Sequence, residues 1–266
     1  MESIEYTCVD GVATLTLNRP QARNALNATL VGELDALLGQ ITRDDSVRAL
    51  ILTGAGGAFC AGGDVRSMND APRDAQAWRS HMRRGHRIVR ALHGMDRPVI
   101  AAVDGVAFGA GFSLTLLADI VLVSRRARFC MAFGRIGLVP DYGALYTLPR
   151  LVGLQRAKEL MLSTREVGAD EARAIGLALE VHAPEALLPR AQALAQSLCA
   201  ASPEAVAITK DALNASLGNE LEAMLQLEAN AQGIAGTTDY ARDAFRRFAD
   251  KQPTRFHWPA DPTGKT

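Results

Sequence analysis

Apolar positions along the chain follow two periods. Alternating or continuous apolar runs at Ile4–Cys8, Val12–Leu17, Arg48–Thr53, Pro98–Val103 and Asp119–Ser124 predict strands. Asp10-Gly11 separates the first two and predicts a type I′ hairpin turn. Asn27 reads as the N-cap of a helix over Ala28–Ile41, with Leu30, Leu34, Leu37, Leu38 and Ile41 along one face. Further helices are expected over a basic segment, Ala75–His93, and over Ala110–Leu117. Strands alternating with helices imply parallel pairing through right-handed crossovers, an α/β fold. Beyond about Leu151 the period becomes helical: Leu154–Leu162, Ala169–Ile175, Pro184–Ala200, Pro203–Leu217, Glu220–Ile234 and Asp239–Phe248. One short strand near Ala178–His182 interrupts them. A soft boundary near 200 separates a core, 1–200, from a helical region, 201–266. Its last three helices are too thin for a core of their own and should pack on the main body or on a neighbouring subunit. The tail Pro253–Thr266 is expected to be loose.

At 266 residues the chain makes one large domain or two small ones. Twenty-nine basic and 29 acidic side chains balance, which argues against binding nucleic acid through a basic face. Cys8, Cys60, Cys130 and Cys199 form no CxxC pair, so they read as reduced thiols of a cytoplasmic protein with no metal site. The acidic start MESIEYTCVDG does not read as a signal peptide. Pro98–Val123 is apolar enough to suggest a membrane span. However, it carries Asp104 and Asp119 and three glycines, and reads better as a buried strand–loop–helix–strand.

Two glycine-rich segments carry candidate chemistry. Gly54–Asp64 follows a buried strand, where glycines let backbone N–H groups face a ligand or simply make a crossover loop. There is no GKS or GKT, so it is not a P-loop. In Ile100–Ile120 small residues at 109–111 open a helix, where unpaired N–H groups favour developing negative charge; tight helix–strand packing is the alternative.

Taken together, LTLNRPQARNALN (15–27), AFCAGGD (58–64) and IAAVDGVAFGAGFSLTLLADI (100–120) resemble the crotonase (enoyl-CoA hydratase/isomerase) superfamily over nearly the whole chain. The resemblance implies a crotonase-like spiral of ββα units with a helical C-terminal trimerisation region. It implies homotrimers or dimers of trimers, an acyl-CoA thioester substrate, and no cofactor apart from the coenzyme A of that substrate. The backbone N–H groups of Gly63 and Ala110 match the family's oxyanion hole. Arg23, Ala25, Ala61, Asp64 and Val65 match the region that holds the CoA nucleotide.

The resemblance leaves the reaction open. Hydratases of this superfamily use two glutamates, and the matching positions hold Ser113 and Phe133. Hydration needs a base for the water and an acid for the α-carbon, so efficient hydration is not expected. One carboxylate remains, Asp141, in Gly137-Leu-Val-Pro-Asp-Tyr-Gly143. It is either the N-cap of a following helix or a base. The segment MAFGRIGLVPDYGALYTLPRLVG (131–153) is similar to ring-epoxide isomerases of phenylacetate metabolism, in which the matching aspartate shuttles a proton between 3-enoyl and 2-enoyl thioesters. Gly143-Ala144-Leu145 departs from the Gly-Gly-Thr usual there.

A second reading rests on His86. Trp78, Met82, His86, Val89 and His93 lie at helical spacing, so His86 is expected to point inward, as a core histidine or as a base. Aryl-CoA dehalogenases of the superfamily are similar here, with an Asp nucleophile matching Asp141 and a His matching His86. A non-catalytic acyl-CoA-binding member is a third reading. Arg79, Arg83, Arg84, Arg87 and Arg90 read as a solvated helix face, Cys60 and Cys130 as core residues, and Tyr142 and Tyr146 as lining of the acyl pocket.

Overall fold

The computed structural model describes residues 1–69 and 74–261. Among the described residues nine strands run in chain order: β1 Ile4–Val9, β2 Val12–Leu17, β3 Ala49–Gly54, β4 Val99–Val103, β5 Val106–Phe108, β6 Ile120–Ser124, β7 Arg128–Cys130, β8 Glu166–Gly168 and β9 Glu180–His182. The α-helices are α1 Ala28–Ile41, α2 Val65–Asn69, α3 Ala75–His93, α4 Ala110–Thr115, α5 Ala144–Val152, α6 Leu154–Ser163, α7 Ala169–Ala174, α8 Pro184–Cys199, α9 Pro203–Ser216, α10 Leu221–Ala235 and α11 Asp239–Ala249.

The larger sheet has the order β1-β2-β3-β4-β6-β9 and is parallel from β2 onward; β5-β7-β8 form a second sheet. After β4 the chain passes through Asp104-Gly105 into β5, and after β6 through residues 125–127 into β7. Two successive turns of the chain, β4–β5 and β6–β7, therefore feed one strand to each sheet before a helix follows. The small sheet was not anticipated, because its strands have three residues each, too short to establish a period. The Asp10-Gly11 turn has positive φ at both residues, +50° and +81°, as a type I′ turn requires.

α1 follows the expected stripe, and Asn27 caps it by accepting from the Leu30 N–H at 2.9 Å. One face of the large sheet packs on α1 and on the region carrying the second sheet; α8 covers the other face, with Leu187, Ala191, Leu194 and Ala195 against Ile51, Ile100 and Leu122. The sheet is thus buried on both sides, which is why β3 and β4 read as continuous apolar runs.

α9, α10 and α11 bury no residue. α9 is tied to the body through Lys210 Nζ, 2.6 Å from both Asp119 Oδ2 and the Arg97 carbonyl, and through Asn214 to the His93 carbonyl. The tail is less loose than expected. The Arg190 guanidinium donates to the Pro259 and Ala260 carbonyls at 3.0 and 2.9 Å, anchoring the chain as far as 260; residues 262–266 lie outside the described residues.

Candidate active site

Segments distant in sequence close around one cavity of about 200 Å³. Its walls come from the 61–65 loop, the start of α3, the entry of α4 and residues 132–142. Gly63, Ala110, Asp141, Phe133, Tyr142, Ala61 and Val65 all line it.

The two glycine-rich segments meet here as neighbouring stretches of backbone. A Cβ on Gly62, whose φ is +95°, would lie 2.7 Å from the Phe108 carbonyl oxygen and 3.5 Å from the Ala110 nitrogen. A Cβ on Gly111 would lie 2.2 Å from the Cys60 carbonyl oxygen. Those glycines serve close packing. The same packing places two amides at the cavity. Leu26 donates to the Gly62 carbonyl (2.7 Å) and Asp64 to the Leu26 carbonyl (3.1 Å), so the parallel bridge engages both neighbours of Gly63 and leaves the Gly63 N–H outside it. Ala110 is the first residue of α4, where an amide has no acceptor within the helix. Gly109 sets this entry with φ +50° and ψ −123°, its own N–H held by the Cys130 carbonyl at 2.8 Å.

Asp141 is not a helix cap. α5 begins at Ala144 behind Gly143 in the left-handed conformation, and no side chain caps it. The carboxylate instead lines the cavity. Its Oδ1 is the one buried side-chain nitrogen or oxygen without a hydrogen-bond partner among the described residues. Burial raises the Asp141 pKa from 3.8 to about 7, opposed only by the hydrogen bond from its own backbone N–H. A carboxylate with one unpartnered oxygen, titrating near neutrality, is suited to taking up and giving back protons. Asp141 is also the only carboxylate among the described residues that line the cavity. Ser113 is fully buried, with its Oγ donating to the Gly109 carbonyl at 3.2 Å, and Phe133 contributes part of the wall.

His86 is exposed on α3 and does not line the cavity, contrary to the inward placement expected from spacing. The buried stripe of α3 is Gly85, Ile88 and Leu92, one residue out of phase with the expected face. The phase was misread because Gly85, buried, presents no apolar side chain to count. The histidine in the cavity wall is His81, beside Trp78, whose ring meets it edge-on with centroids 5.9 Å apart. Trp78 and Met82, on the face expected to point inward, do line the cavity, whereas His81 was not singled out from sequence, although the corrected phase aligns it with Gly85 and Ile88. Tyr146 also lies elsewhere. It is exposed, carries the Arg150 guanidinium 3.5 Å over its ring and meets His93 edge-on.

Of the residues matched to nucleotide binding, Arg23 is exposed, Ala25 is buried, and neither lines the cavity. Asp64 is paired with Arg19, whose two terminal nitrogens lie 3.2 Å from Asp64 Oδ2 and which also donates to the Ala25 carbonyl. Arg19 thus ties the 19–26 segment to the loop bearing Gly63; it sits inside a quoted motif, yet nothing in the spacing marks its partner. Cys60 is fully buried with its thiol on the Asn24 carbonyl (3.1 Å), and burial pushes its pKa up to about 12. Cys130 is likewise buried and its pKa raised by burial. The five arginines of α3 are all exposed.

One further cluster has ligand-like spacing: Glu180, His182 and Asp261 bring donor atoms within 4.8 Å. Both Glu180 oxygens, however, accept from Arg190 at 2.8 Å, and His182 Nε2 lies 2.7 Å from Oε2. A guanidinium already occupies the place of a cation there, and the cluster reads as an anchor for the C-terminal segment.

No helix among the described residues is long and apolar enough to cross a membrane. The family model described as enoyl-CoA hydratase/isomerase matches residues 7–259. The chain is 39% identical to 1,2-epoxyphenylacetyl-CoA isomerase of Escherichia coli over 258 residues, covering 96% of this chain and 98% of that protein. It is 36% identical to a short-chain-enoyl-CoA hydratase of Clostridium acetobutylicum, covering 91% and 92% respectively. A crystal structure of an enoyl-CoA hydratase/isomerase from Cupriavidus metallidurans superposes with a TM-score of 0.94 at 46% identity, covering 98% of both chains.

Proposed function

The chain belongs to the enoyl-CoA hydratase/isomerase family, and from that premise we propose that it shifts a double bond along an acyl-CoA thioester, 3-enoyl to 2-enoyl or a related isomerisation. Asp141 is the single base, and the Gly63 and Ala110 N–H groups stabilise the enolate oxygen. A 1,3-proton shift removes a proton from C2, delocalises the electron pair into the thioester as a dienolate, and returns a proton at C4. One carboxylate suffices for both transfers if it stays beside the substrate between them. Two amides aimed at the thioester oxygen hold the negative charge meanwhile, and one such donor contributes about 3–4 kcal/mol to the transition state.

The observation that carries this reading is the unpaired Oδ1 of Asp141 in a cavity that holds no second carboxylate among its described lining residues. Hydration needs a second acid–base group, and the two positions where this family's hydratases would carry glutamates hold a tied serine and a phenyl ring. Dehalogenase-like hydrolysis with His86 as base is disfavoured by that residue's exposure outside the cavity. The segments 19–26 and 61–65 would receive the coenzyme A portion, with Arg23 exposed at their surface for a phosphate.

Substrate deuterated at C2 tests the single-base mechanism. Retention of part of the label at C4 of the product supports one carboxylate sheltered from solvent. Complete washout from the first turnovers, together with a product heavier by one water, would contradict it.

A further inference from the structure

Gly85 sits inside the 19-residue helix α3, where a glycine weakens the helix relative to almost any other residue. The structure supplies a reason. A Cβ at Gly85 would lie 3.0 Å from both Cε2 and Cζ of Tyr142 and 3.2 Å from its hydroxyl oxygen. The Tyr142 ring thus packs into a notch in α3 that the absent side chain leaves open and that a Cβ would crowd, and the residue is 5% exposed. Tyr142 has φ +49°, a left-handed conformation that bulky side chains rarely adopt. The next residue, Gly143, is also left-handed, and a Cβ there would lie 3.2 Å from Val89 of the same helix. The 141–143 segment is therefore seated on α3 by its own strained backbone.

Asp141 immediately precedes this wedge. Its carboxylate has no side-chain partner that fixes it: Oδ1 is unpaired, and the hydrogen bond identified to the group comes from its own N–H. Something other than a hydrogen-bond network must hold it in the cavity. We infer that Tyr142 is the positioning residue of Asp141: its ring, locked into the Gly85 notch of α3, imposes the left-handed turn that holds the preceding carboxylate buried and unpaired in the cavity. The inference rests on the reading of Asp141 as the base for its catalytic consequence, but not for the structural coupling. It makes α3 and the base one mechanical unit, although α3 contributes no carboxylate to the site.

The titratable and charged groups facing this region are His81 on α3, Arg135 in the 132–136 turn, Cys60 in the glycine-rich loop and Asp35 on α1. Because other polar groups share the cavity with Asp141, the rate profile is paired with a direct titration of the carboxyl group. The test therefore follows the carboxyl carbon of ¹³C-labelled aspartate in the full chain by NMR, with Asp141→Asn assigning the resonance.

Gly85→Ala crowds the notch, so that the ring must shift by a few tenths of an ångström. It is expected to lower the Asp141 midpoint by about one pH unit or more as water reaches the carboxylate. It is also expected to reduce kcat on the order of 10²-fold with KM within about twofold. Tyr142→Ala is a second, independent perturbation that empties the notch and should move the midpoint in the same direction. Tyr142→Phe keeps the ring and should hold the midpoint where it is. Arg84→Ala, on the exposed face beside Gly85, should change neither the midpoint nor kcat. A wild-type midpoint in both Gly85→Ala and Tyr142→Ala overturns the inference. If Asp141→Asn itself retains turnover, the assignment of the base fails, while the titration still reports whether the wedge sets the carboxylate.

Discussion

Asp141→Asn should make the protein more stable at neutral and alkaline pH, and by an amount that depends on pH. Asn keeps the shape of the carboxyl group and removes its charge. In the native state burial holds the Asp141 pKa at about 7, against 3.8 as the ordinary value. Between those values the native state keeps a proton that the unfolded chain has released. Stability then falls as pH rises, because the native state binds more protons than the unfolded one. At 1.36 kcal/mol per pH unit, the full interval costs the native state about 4 kcal/mol by the time Asp141 is ionised. The difference between variant and wild type cancels every other titrating group. It should be near zero at about pH 4, grow through pH 5 and 6, and level off above about pH 7 at a few kcal/mol. In thermal unfolding that plateau is a rise in Tm of roughly 10 °C for a chain of this size. Urea titrations followed by circular dichroism at several pH values measure it directly. A difference that does not vary with pH, or an asparagine variant no more stable than wild type at pH 8, would refute the claim that a buried, unpaired carboxylate is held in this cavity at a free-energy cost.

Other perturbations probe separate parts of the site. Because the base must be ionised to accept a proton, kcat/KM should fall as pH drops through about 7, the Asp141 midpoint, and be flat above it; a midpoint near 4 would show a solvated carboxylate at work. Ala110→Pro removes one amide at a first helical position that accepts proline, so kcat should drop by about 10²–10³-fold with the fold retained; wild-type turnover would exclude this N–H as a donor. Arg19→Ala breaks the clamp between the 19–26 segment and Asp64. It should cost about 2 kcal/mol in urea unfolding and raise KM; unchanged values of both would mean the clamp is idle.

In the large sheet β3 and β4 were legible because they are buried on both faces and appear as unbroken apolar runs, and β1 and β2 because a type I′ turn joins two β-rich runs. α1 was legible for a different reason, a cap followed by a full stripe. The second sheet left no such trace, since three residues show no period, and its pairing is set by the chain turning at Gly105 and at residues 125–127. In the site, Gly63, Ala110 and Asp141 were identified through motif resemblance, and the structure brings them to one cavity. The sequence did not reveal why the flanking glycines are there: Gly62 and Gly111 avoid specific carbonyl oxygens in a partner segment far along the chain. The phase of α3 was misjudged for the same reason. A helical stripe is counted from apolar side chains, and here its central residue, Gly85, is buried because another ring occupies its space. His81 replaced His86 in the cavity wall as a direct result. Tyr146 was misplaced because α5 turns it away from Tyr142, onto Arg150 and His93.

The central claim is that Asp141 alone moves the proton in a double-bond shift. The most direct measurement incubates purified wild type and Asp141→Asn with a 3-enoyl-CoA and follows products by chromatography with mass detection. Wild type should give a 2-enoyl product of unchanged mass, and the variant should be slower by about 10²–10⁴-fold. A variant within about tenfold of wild type, or a product heavier by one water, would contradict the account.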